Sequence, residues 1–135
     1  MITLVADANV QRHVARLVVR MQEEDWRDFW DYLDLRYLTF ADLGLAPSDT
    51  DAVVWQRCQR HPALLLTNNR NDDGPDSLES TIRLHNTADS LPVFTIADAD
   101  SVLAGTTYAN RVIDRLFRYL LELDNLRGTG RLFLP

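Results

Sequence analysis

Three short apolar runs, residues 2–6, 63–66 and 92–96, each stop abruptly at a polar segment: Asp7-Ala8-Asn9, Thr67-Asn68-Asn69 and Ala97-Asp98. Such runs are too short for buried helices and lack the polar alternation of a half-solvated strand. They read as strands covered on both faces, the kind that parallel sheets contain. Between them the hydrophobic period lengthens. Val10, Val14, Leu17, Val18 and Met21 recur every three or four residues with Arg12, Arg16 and Arg20 opposite, which predicts an amphipathic helix. Trp26, Phe29, Trp30 and Leu33 repeat that spacing, so a second short helix capped by Asp25 is expected before a strand over residues 35–40. Ser48 or Asp49 is expected to cap a third helix running to about His61, with Pro62 as its stop. Ser77 opens another helix, to about Asn86, and a helical turn begins over residues 97–104. The longest periodic segment covers 110–126, Gly128-Thr129-Gly130 ends it, and Arg131–Leu134 is expected to add an edge strand.

This alternation of strands and helices predicts a three-layer α/β/α domain around a mainly parallel sheet of four or five strands. With about 150 residues per ordinary domain, 135 residues make one. In such sheets, functional polar groups gather beyond the carboxyl ends of the strands.

The charged residues narrow the chemistry. All 14 basic residues are arginine, so no P-loop lysine, Schiff-base lysine or kinase-type lysine exists. A phospho-acceptor role for Asp7 in a receiver-like domain is disfavoured for the same reason. Cys58 is the single cysteine, which excludes an internal disulfide and a multi-cysteine zinc site and fits a reducing compartment. It reads as a small buried hydrophobe, and His13, His61 and His85, which lack ligand spacing, read as surface or capping residues. The first seven residues have no basic leader and no long apolar run, so a cytoplasmic protein without a membrane segment is expected.

Sixteen aspartates against four glutamates concentrate acidic and amide groups where strands end: Asp7 and Asn9, then Asn68, Asn69, Asn71, Asp72 and Asp73, then Asp98 and Asp100. Singly, these are ordinary turn and capping residues. Jointly, and with Asp51 near the start of the third helix, they suggest a site for a hard cation such as Mg²⁺, which prefers oxygen ligands and activates water for phosphodiester hydrolysis. Arg12, Arg16 and Arg20 beside Asp7, and Arg70 in the Thr67 loop, could grip phosphate, although a net charge of −6 argues against broad nucleic-acid affinity. Arg111, Arg115 and Arg118 read as a solvated helix face.

The run Val5-Ala-Asp-Ala-Asn9 followed by a basic amphipathic helix, then Asp42-Leu-Gly-Leu, then Asp51 opening a helix, then Leu64-Leu-Leu-Thr-Asn-Asn-Arg-Asn71, resembles the PIN domain-like fold over about residues 2–96. The likeness is to the short PIN-like proteins often encoded beside a small DNA-binding antitoxin. The resemblance implies a toxin-type ribonuclease using Mg²⁺ or Mn²⁺, with Asp7 and Asp51 as metal ligands and Asn9 and Thr67 orienting water. Arg12 and Arg70 would then contact the RNA. Where the family places Thr-Asn-Asp-x-Asp, this chain has Thr67-Asn68-Asn69-Arg70-Asn71, so amides at Asn69 and Asn71 occupy the acidic positions and Asp72 is a replacement ligand. An amide carries no charge and is a poor general base, so reduced activity is expected. The alternative is a catalytically inactive interaction module that binds a partner protein or RNA. A small antitoxin-like protein is an expected partner. The aromatic segment around Trp26, Phe29 and Trp30 is expected either to complete the core or to cover a homodimer surface.

Overall fold

The computed structural model describes residues 1–71 and 73–135. Its strands are β1 (Ile2–Ala6), β2 (Leu35–Leu38), β3 (Ala63–Thr67), β4 (Val93–Ile96) and β5 (Arg131–Leu134). They form a sheet in the order β2-β1-β3-β4-β5, and every pairing is parallel. The α/β expectation holds, and the sheet is all-parallel where a mainly parallel one was expected. The helices are α1 (Gln11–Met21), α2 (Arg27–Tyr32), α3 (Asp51–Arg60), α4 (Leu78–His85), α5 (Ala99–Ala104), α6 (Thr106–Leu121) and α7 (Leu123–Leu126).

Strand alternation divides the apolar residues between two cores. Leu4, Ala6, Leu64, Leu66, Phe94, Ile96 and Leu134 face α1, α5 and α6. Val5, Leu65 and Val93 face the opposite way, against Val54, Trp55 and Cys58 of α3 and Leu78 and Ile82 of α4. Both faces are therefore covered, which is why the central strands carry continuous apolar sequence. Trp26 and Trp30 pack on the first core, and Trp26 stacks on Phe117 with ring centroids 5.7 Å apart. The aromatic segment thus extends the core, although Phe29 remains 42% and Tyr32 79% exposed.

Several boundaries differ from the sequence expectation for identifiable reasons. Thr50, not Ser48 or Asp49, caps α3: its hydroxyl accepts from the Val53 amide, while the Asp49 carboxylate accepts from Ala46 N and tightens the preceding turn. Asp25 does not cap α2, which starts at Arg27 with Trp26 in the cap position and no side-chain cap. Ser77 caps α4 as expected. The long helix starts earlier, at Thr106, and breaks at Glu122, so α7 is separate. Strand β2 ends at Leu38 because Phe40 takes helical dihedral angles and opens a turn over Ala41–Leu43 that Thr39 and Asp42 brace, and β3 runs one residue further, to Thr67. Among the described residues, no helix is long and apolar enough to cross a membrane.

The return to β5 depends on Gly128. Its φ is +85°, and a Cβ there would stand 3.0 Å from the Ala88 carbonyl oxygen. Gly74 has a similar φ of +87°, but a Cβ there would meet nothing within 4 Å among the described residues. Gly74→Ala is therefore expected to cost only the backbone strain, about 1 kcal/mol, and Gly128→Ala at least about twice that. Urea unfolding of the two variants checks this, and equal losses would contradict it.

Candidate functional site

The parallel register sets three polar residues side by side at the carboxyl edge of the sheet. Ala6 pairs with Leu66 and Thr67 pairs with Thr95, while the Asp7 amide continues the ladder by donating to the Leu66 carbonyl at 2.9 Å. Alternation turns Asp7, Thr67 and Thr95 toward the α3–α4 side, and all three are buried.

Asp7 is only 8% exposed. Its Oδ1 accepts from the Ala8 amide at 2.8 Å, and its Oδ2 accepts from the Thr67 hydroxyl at 2.7 Å. The Thr67 oxygen in turn accepts from the Asn69 amide at 3.0 Å. The Asn69 side chain then reaches α3: its Nδ2 donates to Asp51 Oδ2 at 2.9 Å, and its Oδ1 accepts from Asn71 N at 2.8 Å. A backbone donor and a carboxylate acceptor thus fix the amide orientation from both ends. Asp51, the first residue of α3, also accepts from Leu78 N at the start of α4 at 3.2 Å. A continuous relay, Asp7–Thr67–Asn69–Asp51, joins carboxylates that lie 44 positions apart in the chain.

Electrostatically Asp7 is under-compensated. Burial pushes the Asp7 carboxyl above the ordinary aspartate range, the Thr67 and Ala8 hydrogen bonds oppose that rise, and the Asp51 charge adds to it. Among the described residues, neither carboxylate has an arginine or histidine within 4.0 Å. The Asp51 Oδ1 has no protein donor among those residues, and each Asp7 oxygen has one, so lone pairs remain for an oxygen-seeking cation. Among the described residues no three His, Cys, Asp or Glu side chains converge on one point.

The remaining candidates separate. Asn71 is exposed and shapes the turn, its Oδ1 accepting from Asp73 N at 2.9 Å, and it lines an open cleft with Asp49, Thr50, Asp51 and Asp76. Asp72 lies outside the described residues. Asn9 is exposed and its side chain bonds neither Asp7 nor Asp51, so the described geometry gives it no part in the relay. Arg12 and Arg70 are exposed, Arg12 lining a shallow pocket with Ala6, Gln11, Ala15, Tyr37 and Thr39. Asp98 instead accepts from Ser101, and Asp100 bonds His13 at 3.1 Å, both apart from the relay. Cys58 is buried, its thiol pushed up to about 12 chiefly by desolvation, as expected of an inert packing residue.

Sequence reasoning missed Thr95, Glu79 and Arg131. Thr95 had a faint signal: Phe94-Thr95 ends an apolar strand as Leu66-Thr67 does, at the paired position. Arg131 had none, since an arginine opening an edge strand ordinarily points to solvent. Compared with protein-family models, curated proteins and solved structures, the chain matches none.

The raised carboxyl has a thermodynamic signature. A folded-state value above the unfolded one means that the folded chain binds more protons in that window, so stability falls as pH rises through it and the cost is complete above the folded value. Asp7→Asn removes this cost. The variant is expected to melt a few degrees higher than the wild type at pH 7, with the gap shrinking as pH falls toward the ordinary aspartate range. A lower melting point at pH 7 would contradict the assignment.

Proposed function

We propose that this chain is a PIN-like protein of the toxin type that hydrolyses RNA slowly with Mg²⁺ or Mn²⁺ held at Asp7 and Asp51. The observation that carries the reading is the pair itself: two carboxylates from separate elements, joined through Thr67 and Asn69, one of them buried, with no cationic side chain beside either among the described residues. Such a pair is the local environment that a divalent ion stabilises. When bound, the ion supplies charge neutralisation and a more acidic water for attack on a phosphodiester.

The chain's own residues define the rest. Thr67 and Ala8 hold the Asp7 carboxylate in one orientation, and Leu78 N and Asn69 Nδ2 hold Asp51 with its Oδ1 turned free. Exposed Arg12 and Arg70 are available to RNA phosphates. Asn69 and Asn71 add no negative charge where acidic groups would tighten cation binding, and this limits the rate.

One observation favours the second reading, an inactive module that binds a partner protein or RNA. The Asn69 amide already donates to Asp51, doing part of a cation's work without one. The Asn69→Asp variant distinguishes the readings because it sets two carboxylates against each other. It is expected to melt lower than wild type without metal, to recover more stability than wild type on adding Mn²⁺, and to cleave labelled RNA faster. Asp7→Asn, assayed beside it with Mn²⁺, is expected to lose cleavage by at least about a hundredfold while remaining folded. Background cleavage by wild type and both variants alike would remove the enzyme reading. Titration calorimetry with Mn²⁺ then reports whether the cleft takes a cation without chemistry.

A further inference from the structure

Arg131 opens the edge strand β5, yet its side chain is only 7% exposed. The guanidinium lies inward, and every nitrogen has an acceptor. Its Nε and Nη2 donate to Glu79 Oε2 at 3.1 and 2.9 Å, and its Nη1 donates to the Thr95 hydroxyl at 2.6 Å and to the Asn69 carbonyl at 2.8 Å. One side chain therefore ties α4, β4 and the loop after β3 together. Burying a guanidinium is costly unless its donors are satisfied, so this arrangement defines a single geometry.

That geometry ends on Asn69. The Asn69 amide is held by Thr67, its carbonyl by Arg131, and its side chain by Asp51 and Asn71. Thr67 and Thr95 are themselves fixed by strand pairing, so Arg131 references the loop to the sheet. Without the carbonyl contact, the peptide after Asn69 loses its tie to the sheet, and the local Thr67 and Asn71 contacts are left to aim the side chain at Asp51. Arg131 bonds neither Asp7 nor Asp51, so it cannot act by pairing with them.

We propose that Arg131 is a positioning residue, whose guanidinium holds the Asn69 backbone so that the Asn69 amide faces Asp51, making the last strand part of the site. Its consequence for cation binding rests on the function proposed above; the positioning itself does not.

The test is nitrogen-15 NMR of the Asn69 side-chain amide, identified by its loss in Asn69→Asp, in wild type and in Arg131→Met. In wild type the two Nδ2 protons are expected to be well separated and slow to exchange with water. In Arg131→Met they are expected to converge and to exchange about tenfold faster or more, the equivalent of one charge-assisted hydrogen bond. That increase should exceed the loss of whole-chain stability seen in urea, which a purely structural role would not produce. Mn²⁺ affinity should fall in parallel. If Arg131→Met does not fold, Arg131→Lys serves, because an ammonium cannot reproduce the planar fork, and the same convergence is expected in smaller measure. Exchange that changes only as much as global stability in the folding variant overturns the proposal. If wild type binds no Mn²⁺, the cation reading falls while the amide resonance still decides the role of Arg131.

Discussion

A carboxylate buried at the end of β1, with only neutral donors to it among the described residues, is the constraint on which the rest of this structure turns. Asp7 could be accommodated more cheaply as an amide or beside an arginine. Instead the chain supplies a hydroxyl and a backbone amide, and sets a second carboxylate near enough for its charge to be felt. Conformations that a fold must hold against an electrostatic cost concentrate at functional sites. The all-parallel sheet makes this arrangement available, because its register brings the ends of β1, β3 and β4 to one edge and its alternation points their polar residues to one side.

Asn69 is the pivot between two chemistries. As an amide it bridges a cleft that a pair of acidic groups would leave repulsive, and its two ends have distinct partners. The amide therefore reads as part of a consistent network. The same network satisfies Asp51 Oδ2 with neutral donors, the Asn69 side chain and the Leu78 amide.

Much of the fold was legible because its strands are short, apolar and punctuated. The stops at Asp7 and after Leu66 marked the sheet edge, and helix α1 could be read from Val10, Val14, Leu17, Val18 and Met21 alone. Local capping was less legible: Thr50 won over Ser48 and Asp49 because the turn before α3 uses the Asp49 carboxylate for its own amide. At the site, Asp7, Asp51, Thr67 and Asn69 were readable from their places at strand and helix ends. Arg131 was not, because its burial depends on contacts with residues 36, 52 and 62 positions away, which no local pattern encodes. Asn9, two positions from Asp7 in sequence, is exposed and bonds neither carboxylate among the described residues, so sequence proximity alone does not join it to the relay.

We propose that the Asp7 and Asp51 carboxylates share one divalent ion. Anomalous diffraction from crystals soaked in Mn²⁺ tests it most directly. The account requires a peak between those two side chains, with water completing the shell. A Mn²⁺ peak confined to the outer acidic loop at Asp73 and Asp76, or no peak at saturating metal, would contradict it.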